Sequence, residues 1–247
     1  MWDDYDAATY GERIAEVYDA WPGVPADTDA TVAFLAARAG GGPALELGIG
    51  TGRVALPLAA RGVQVHGVDA SPAMVARLRA KPGGDAVPVE LGDFAEVHTP
   101  GPFTLVFVVF NTLFGLLDQD AQVRCFARVA ERLRPGGRFV VEAFVPDLGR
   151  FDRGQRVGVL ELGGGLVRLE ASELDPVGQR ISFQNAVLTE QGIRFYPGRL
   201  RYAWPAELDL MARLAGLALE ERHGGWDGEP FTAASRRHVS VYRRPSG

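Results

Sequence analysis

One short stretch, from Glu46 to Arg53, constrains the fold of this chain of 247 residues more than any other. An apolar run ends there in three glycines at alternate positions, Gly48, Gly50 and Gly52, and a helix-compatible segment follows at once. Glycines permit unusual backbone dihedrals and let a ligand approach with no Cβ in the way. The pattern therefore predicts a strand, a tight turn and a helix start at which a polar or anionic ligand binds.

The spacing of the glycines selects the kind of ligand. A dinucleotide-binding fingerprint, G-x-G-x-x-G, requires a glycine at position 53, where this chain has Arg53. The order Glu46-x-Gly48-x-Gly50-x-Gly52 instead resembles motif I of the class I S-adenosylmethionine (SAM) methyltransferases. In such a site Arg53 would meet the carboxylate of the methionine part of SAM.

Polar residues also follow the next strands of the predicted sheet. Asp69 ends the strand 64–69 before a helix that starts at Ser71-Pro72, Asp93 and Phe94 follow the strand 87–91, and Asn111 follows the run 103–110. Parallel strands gather such residues in one crevice at their carboxyl ends. The resemblance implies that Asp69 accepts the ribose hydroxyls and that Asp93 and Phe94 hold adenine. It implies a cofactor site of Tyr18, Glu46, Gly48, Gly50, Gly52, Arg53, Asp69, Ala70, Met74, Asp93, Phe94 and Phe110.

Three residues are candidates for the reaction centre. The apolar repeat predicts one helix over 5–21, and the tyrosines of its face, Tyr10 and Tyr18, are expected to close over the methyl donor, as the resemblance implies. Tyr10 and Phe110 could form an aromatic wall for the sulfonium cation. Asn111 follows the central strand, and Glu142 could hold an ammonium group or receive its proton.

Chemistry at an oxygen acceptor needs a general base close by. The histidines, His66, His98, His223 and His238, do not occupy a position where such a base would be obvious. The sequence therefore favours an amine acceptor, or catalysis by positioning alone. We expect the acceptor to contact Phe114, Phe144, Arg199 and Trp204.

The predicted fold is α/β. It is a Rossmann-like seven-stranded sheet with one antiparallel strand, flanked by helices, together with a small inserted antiparallel sheet whose β-rich runs alternate with turn residues. The expected division is an N-terminal helical cap (1–40), a SAM-binding core (41–150), the inserted substrate-side sheet (151–204) and a C-terminal helix and strands that complete the core (205–247).

Composition excludes several other classes. A net charge of −5 argues against a nucleic-acid binder, and a single cysteine, Cys125, excludes an internal disulfide and a multi-cysteine metal site. We expect no metal. The absence of an export signal and of an apolar run of about 18 residues predicts a cytoplasmic protein without membrane contact. A homo-oligomer is left open.

The sequence thus predicts a SAM-dependent methyltransferase that acts on a small-molecule acceptor, an amine of a natural product, by in-line displacement that leaves S-adenosylhomocysteine. The tyrosine-bearing helix and the inserted sheet resemble the N-methyltransferases of lincosamide biosynthesis and the amino-sugar N,N-dimethyltransferases. The alternatives are a small-molecule O-methyltransferase, an NAD(P)-type oxidoreductase and a non-catalytic SAM-binding protein.

Overall fold

The computed structural model describes residues 5–21 and 27–246 of the chain. These residues form two sheets, a larger one with helices packed on both faces and a smaller antiparallel one. The strands are β1 (Ala44–Leu47), β2 (Val65–Asp69), β3 (Val89–Leu91), β4 (Phe103–Val108), β5 (Leu133–Phe144), β6 (Gln155–Gly163), β7 (Leu166–Asp175), β8 (Arg180–Thr189), β9 (Gly192–Arg201), β10 (Ala218–His223) and β11 (Arg237–Arg243). The α-helices are α1 (Thr9–Ile14), α2 (Thr28–Ala39), α3 (Ala55–Ala60), α4 (Pro72–Arg79), α5 (Gln119–Arg132) and α6 (Pro205–Leu214).

The larger sheet has seven strands in the order β10-β11-β5-β4-β1-β2-β3. Strands β1 to β5 pair in parallel, and β11 is antiparallel to both β5 and β10. Every residue of β1 and β4 is buried, as expected for central parallel strands covered on both faces. The predicted Rossmann-like sheet with one antiparallel strand is confirmed. No helix within the described ranges is long and apolar enough to cross a membrane.

The smaller sheet is the inserted sheet, with the order β6-β7-β8-β9, and it too was predicted. Its hairpins close through turn chemistry: at the β7–β8 turn, Asp175 Oδ1 accepts hydrogen bonds from the N–H groups of Val177 and Gly178, both at 3.0 Å. Directly opposed residues share a face, so the register separates two surfaces. The inner face carries Tyr196 and packs on the rest of the molecule.

The opposite, outer face of the inserted sheet exposes large apolar side chains. A contiguous apolar surface of this kind is uncommon on a monomer. A homo-oligomer stays open, and the division of the chain into four parts stays a prediction. The most exposed apolar residues of this face are Val157, Val159, Leu162, Ile193 and Phe195.

The N-terminal segment differs from the prediction of one helix over 5–21. Only α1 is α-helical, and a separate 3-10 turn follows at Tyr18–Ala20. The Asp6 carboxylate accepts the N–H groups of Ala8 and Thr9, at 3.1 and 2.9 Å, and so forms a turn before α1 begins. Tertiary packing overrides the helical repeat because Trp21 contacts the inserted sheet, its ring 4.9 Å from that of Tyr196.

Candidate active site

The glycine turn after β1 has the geometry that its sequence predicts. Gly48, Gly50 and Gly52 have φ values of +69°, +57° and +80°, in the left-handed region that favours glycine. A Cβ on Gly48 would lie 2.3 Å from Cγ2 of Thr112, so that glycine lets the following loop approach closely. A Cβ on Gly50 would meet nothing nearer than the Gly48 carbonyl at 4.0 Å, which leaves open space for a ligand beside the turn.

Asp69, at the carboxyl end of β2, holds this turn in place. Its Oδ2 accepts a hydrogen bond from the Gly50 N–H at 2.7 Å, and its Oδ1 accepts one from the Ser71 N–H at 2.9 Å, across Ala70. Burial raises the pKa of Asp69, and the N–H groups of Ser71 and Gly50 oppose that rise. A carboxylate offers about four lone-pair sites, so this side chain can accept a hydroxyl group of a ligand as well.

Glu46 lies inside the sheet next to the turn and is 2% exposed. Burial raises its pKa to about 8; the charge of Arg53 lowers it, and that of Asp69 raises it further. Its Oε2 has no hydrogen-bond partner among the residues that the structure describes. A buried carboxyl oxygen without a partner is costly, so Glu46 fits a ligand that brings a cation or a hydrogen-bond donor.

The turn after β4 contains two consecutive residues in the left-handed region, Phe110 at φ +54° and Asn111 at φ +64°. Two side chains hold this turn in place through hydrogen bonds to the backbone. Glu142 Oε2 accepts the Phe110 N–H at 2.5 Å, and Asn111 Oδ1 accepts the Phe144 N–H at 2.6 Å. Two of the residues expected at the reaction centre therefore bind backbone groups, and any catalytic role of theirs stays a prediction.

Glu142 is buried and belongs to a charged group that reaches α2. Its Oε1 lies 3.9 Å from Arg237, which pairs with Asp27 at 2.5 Å, just before α2 begins. Burial raises the pKa of Glu142, while the Phe110 N–H and the charge of Arg237 lower it. This arrangement ties the turn after β4 to β11 and α2.

The start of α1 packs on the start of α4. A Cβ on Gly11 would lie 2.5 Å from Cβ of Ser71, so glycine permits the close approach. Glu12 Oε1 accepts hydrogen bonds from Ser71 Oγ at 2.6 Å and from the Ala73 N–H at 2.9 Å. Met74 is buried between the two helices, and its side chain belongs to the apolar cluster of the N-terminal segment.

The N-terminal segment brings Tyr18 beside the glycine turn. Burial raises the pKa of Tyr18; the charge of Arg53 opposes this, and those of Glu46 and Asp69 add to it. Arg53 itself donates to Thr28 Oγ1 at 2.9 Å, and its guanidinium lies 5.8 Å from the centre of the Phe110 ring. The side chains of Tyr18, Arg53 and Phe110 thus lie around one space beside the glycine turn.

A second contact between the N-terminal segment and the turn was not predicted. Asp19 Oδ1 accepts from Thr51 Oγ1 at 2.6 Å, and Lys81 Nζ lies 2.8 Å from Asp19 Oδ2. Lys81 also donates to the Thr51 carbonyl at 2.8 Å. Aspartate, threonine and lysine are common at protein surfaces. The only sequence signal for the contact of Asp19, Thr51 and Lys81 is therefore the position of Thr51 inside the glycine turn.

The other predicted site residues divide into two groups. Asp93 is exposed after β3, where its Oδ1 accepts the Ala95 N–H at 2.8 Å, and Phe94 beside it packs partly on the core. Phe114 is buried and packs edge-to-face on Phe144, with ring centres 5.1 Å apart, near the turn after β4. The structure does not bring the other two predicted acceptor residues, Arg199 and Trp204, together with Phe114 and Phe144. The register places Arg199 on the outer face of the inserted sheet, and Trp204 is exposed before α6.

The histidines also lie apart from this space. The His66 ring packs against Phe103 at 5.4 Å, His98 is exposed, and His223 Nε2 lies 2.7 Å from Glu221 Oε2. His238 is buried, and burial lowers its pKa to about 4. Within the described ranges, no group of three or more His, Cys, Asp or Glu side chains could hold a metal ion.

The fold and the site together define a methyltransferase. The family described as "Methyltransferase domain" matches residues 44–137, from β1 into β5. The chain belongs to the SAM-dependent methyltransferases, and SAM is its cofactor. The buried, unpartnered Glu46 oxygen, the open side of Gly50 and the free lone pairs of Asp69 fit a polar cofactor of this kind.

Particular relatives extend this likeness over almost the whole chain. The structure of the CcbJ methyltransferase from Streptomyces caelestis is 50% identical, with a TM-score of 0.93, and the match covers 98% of this chain and 100% of that one. The cypemycin N-terminal methyltransferase of a Streptomyces species is 29% identical over 97% of this chain and 99% of its own. The SAM-bound structure of CalS10, an amino pentose methyltransferase of Micromonospora echinaspora involved in calicheamicin biosynthesis, is 26% identical, with a TM-score of 0.69, over 94% of this chain and 96% of that one.

Proposed function

We propose that this enzyme transfers a methyl group from SAM to the amine nitrogen of a small natural product. The convergence of Tyr18, Glu46, Arg53 and Asp69 above the glycine turn carries the proposal for the donor side. The names of two relatives, an N-terminal methyltransferase and an amino pentose methyltransferase of calicheamicin biosynthesis, support nitrogen as the acceptor atom and a natural product as its carrier.

The residues at the strand ends divide the cofactor among them. The two oxygens of Asp69 accept the ribose hydroxyls, while Glu46 and Arg53 face the ammonium and carboxylate ends of the methionine part. Asp93 and Phe94 follow β3, where adenine would lie, and Ala70 and Met74 flank it from the start of α4. When bound, SAM would supply a sulfonium methyl group, whose carbon would accept the lone pair of the acceptor while the bond to sulfur breaks and S-adenosylhomocysteine leaves.

The chain itself contributes alignment and an aromatic surface. Burial raises the pKa of Tyr10, so its hydroxyl stays protonated and acts as a hydrogen-bonding group rather than as a phenolate base. Tyr10 and Phe110 offer faces to the sulfonium cation, each contact worth about 0.5–2 kcal/mol. Holding acceptor and donor in line is the larger effect and contributes up to about 7–11 kcal/mol to lowering the barrier.

The positions of the histidines support an amine over a hydroxyl. Each of them packs on, pairs with or is exposed among residues away from the glycine turn. An amine reacts once it has lost a proton to solvent, whereas a hydroxyl needs a base in contact with it. Phe114 and Phe144, next to the turn after β4, are proposed to pack against the carbon skeleton of the acceptor.

The donor site is tested by calorimetry with S-adenosylhomocysteine. Wild-type protein should bind it, and Asp69→Ala should weaken binding about tenfold or more, because two charge-assisted hydrogen bonds are lost. Asp85→Asn, on an exposed carboxylate outside the proposed cofactor site, is the control and should bind normally. Failure of the folded wild-type protein to bind would contradict the assignment of the cofactor residues.

The acceptor atom is tested with pairs of amines and alcohols of the same carbon skeleton, by measuring S-adenosylhomocysteine released from SAM. We expect turnover with amines only. Turnover of an alcohol whose matching amine is inert would replace nitrogen by oxygen as the acceptor atom and leave the donor site unaffected.

A further inference from the structure

The inner face of the inserted sheet contains buried polar groups that nothing in the described chain satisfies. Arg168 and Ser172 on β7 and Asn185 on β8 are only 5%, 7% and 6% exposed. Arg168 Nε, Ser172 Oγ and Asn185 Oδ1 have no hydrogen-bond partner among the described residues. Buried polar atoms are almost always hydrogen-bonded, so three of them on one face require an explanation.

The register shows that these three side chains face the same way. Arg168 lies opposite Val187, Ser172 opposite Phe183, and Asn185 opposite Tyr196. Opposed residues of an antiparallel pair share a face, and alternate residues along a strand return to it. Asn185 is therefore diagonal to both Arg168 and Ser172, in the middle of the inner face.

Apolar contacts hold this face at its two ends. At one end Val187 and Tyr196 pack with Ile14 and Trp21 of the N-terminal segment. At the other end the inner face joins the main core of the molecule, through Leu174, Ile181 and Leu200. The polar groups thus lie between these two ends, and β9 of the same sheet contacts residues 112–115, which follow β4.

Arg168 is the strongest of the three groups. Its Nε has no hydrogen-bond partner among the described residues, and it forms only a long ion pair, of 3.9 Å, with Oε2 of Glu161, which lies opposite it on β6. Its guanidinium lies 4.7 Å from the ring centre of Trp21, and its charge acts on Tyr10. Glu170, on the same face, pairs with Arg156 at 3.3 Å instead.

A second buried arginine of this sheet has a structural role and can be compared with Arg168. Arg201, on β9, is 4% exposed and donates to Gln122 at 2.6 Å, to Gln179 at 3.0 Å and to Glu207 at 2.7 Å. Within the described residues, the chain therefore gives one buried guanidinium three hydrogen bonds and gives the other none. A buried charge of the second kind destabilises the protein unless a ligand satisfies it.

We infer that Arg168, Ser172 and Asn185 form an acceptor-binding subsite that recognises an oxyanion, a carboxylate or a phosphate, on the molecule to be methylated. This inference rests on the proposed function, because it places the acceptor between the N-terminal segment and the inserted sheet. The guanidinium and the Ser172 hydroxyl supply donors for an oxyanion, which offers several lone pairs. Tyr10 lies near both this subsite and the donor site, because Arg168 and Tyr18 both affect its pKa.

The first test compares the thermal stability of two arginine variants without ligand. Arg168→Met should raise the melting temperature by roughly 2–4 °C or more, because it removes an unsatisfied buried charge. Arg201→Met, the matched control, should lower it by about 6 °C or more, because it breaks a satisfied group. A fall for Arg168→Met equal to that of Arg201→Met would show a structural arginine and overturn the inference.

The second test uses formate and inorganic phosphate as probes, against chloride at equal ionic strength, with S-adenosylhomocysteine present. Wild-type protein should be stabilised by one of these ions beyond the chloride value, and the stronger effect distinguishes a carboxylate from a phosphate group. Arg168→Met should lose that stabilisation. Asn185→Leu keeps Arg168 and should reduce the stabilisation by the ion. It provides a second test of the subsite if Arg168→Met does not fold.

An equal ion effect in wild-type protein and in both variants, or no effect in wild-type protein, would contradict the oxyanion subsite. Calorimetry with S-adenosylhomocysteine separates this outcome from a failure of the proposed function. Binding that is unchanged in Arg168→Met leaves the donor site established whatever the ions do. Loss of that binding in wild-type protein would instead remove the proposed function.

Discussion

The carboxylate of Glu142 accepts a hydrogen bond from the backbone N–H of Phe110, with 2.5 Å between oxygen and nitrogen. The bond connects β5, near its carboxyl end, to a turn in which Phe110 and Asn111 both have positive φ. Such residues cost on the order of 1–3 kcal/mol each and persist only where neighbouring groups hold them. Glu142 is therefore first of all the residue that holds the strained turn at the proposed reaction centre.

Replacing Glu142 by leucine should lower the free energy of unfolding by about 1–3 kcal/mol, because the buried Phe110 N–H loses its acceptor. Turnover should fall more than S-adenosylhomocysteine affinity, since we propose that this turn aligns the acceptor with the sulfonium cation. Glu142→Gln keeps an acceptor oxygen and should retain most of the stability. Urea unfolding and methyl-transfer rates measure both effects, and equal losses in the two variants would point to the charge rather than to the hydrogen bond.

The buried carboxyl of Glu46 should make stability depend on pH in the absence of SAM. Its pKa is raised to about 8 in the folded protein, whereas an unfolded glutamate titrates near 4.3. The folded state thus binds the proton more tightly, so its stability is highest below the unfolded pKa. Stability should fall as pH rises from about 4.5 to 8, by a few kcal/mol in total.

Glu46→Gln removes this titration and should flatten that part of the profile. The difference between wild-type and variant melting temperatures across pH 5 to 8 isolates the contribution of Glu46 from the other acids. Glu220→Gln, which changes a surface pair with Arg138, is the control and should leave the slope in place. A wild-type slope that survives in Glu46→Gln would assign it to other groups.

Gly48 should be the least replaceable glycine of the turn. Alanine there meets both a φ of +69° and a Cβ contact of 2.3 Å with Thr112. Gly62 has a φ of +84° with nothing within 4 Å of its added Cβ, so Gly62→Ala measures the backbone strain alone. Gly48→Ala should cost about 2–4 kcal/mol, against about 1 kcal/mol for Gly62→Ala. Equal values from urea unfolding would rule out the packing contribution of Thr112.

The sequence predicted the parts of this protein that local rules determine. The glycine turn and Asp69 were found because a tight turn needs glycines at fixed positions and because a parallel strand presents its last residue to the ligand crevice. Both requirements act within about 25 residues. The repeated alternation of strands and helices indicated the Rossmann-like sheet, and the turn residues between the β-rich runs indicated the antiparallel inserted sheet.

Long-range pairing decides what the sequence left open. Arg168 and Asn185 look like ordinary residues of alternating strands, and only the register of β7 with β8 puts them together on a buried face. The helical repeat of the N-terminal segment was correct for Ile14, but Trp21 packs on Tyr196, far along the chain, and the helix ends early. Arg199 was expected at the acceptor, yet the register turns it to the outer face.

The contact of Asp19 with Lys81 should keep the N-terminal segment closed over the cofactor. Lys81→Met removes a partly exposed ion pair of 2.8 Å and the bond to the Thr51 carbonyl, so global stability should change little. The dissociation rate of S-adenosylhomocysteine should rise about threefold to tenfold, because the segment opens more often. Stopped-flow measurement against Arg236→Met, which removes an exposed ion pair with Asp147 and no contact of the N-terminal segment, provides the control. Equal rates in the two variants would mean that this ion pair does not hold the segment.

Tyr18 should act on cofactor affinity through its hydroxyl group. It is partly buried near Arg53 and Glu46, where we propose that its hydroxyl contacts the methionine part of SAM. Tyr18→Phe keeps the ring and should weaken S-adenosylhomocysteine binding about threefold to tenfold without unfolding the protein. Tyr202→Phe changes another buried tyrosine, one that packs in the main core, and should leave the affinity as it is. If Tyr18→Phe binds as tightly as wild-type protein, then Tyr18 contributes only the packing of its ring to the N-terminal segment.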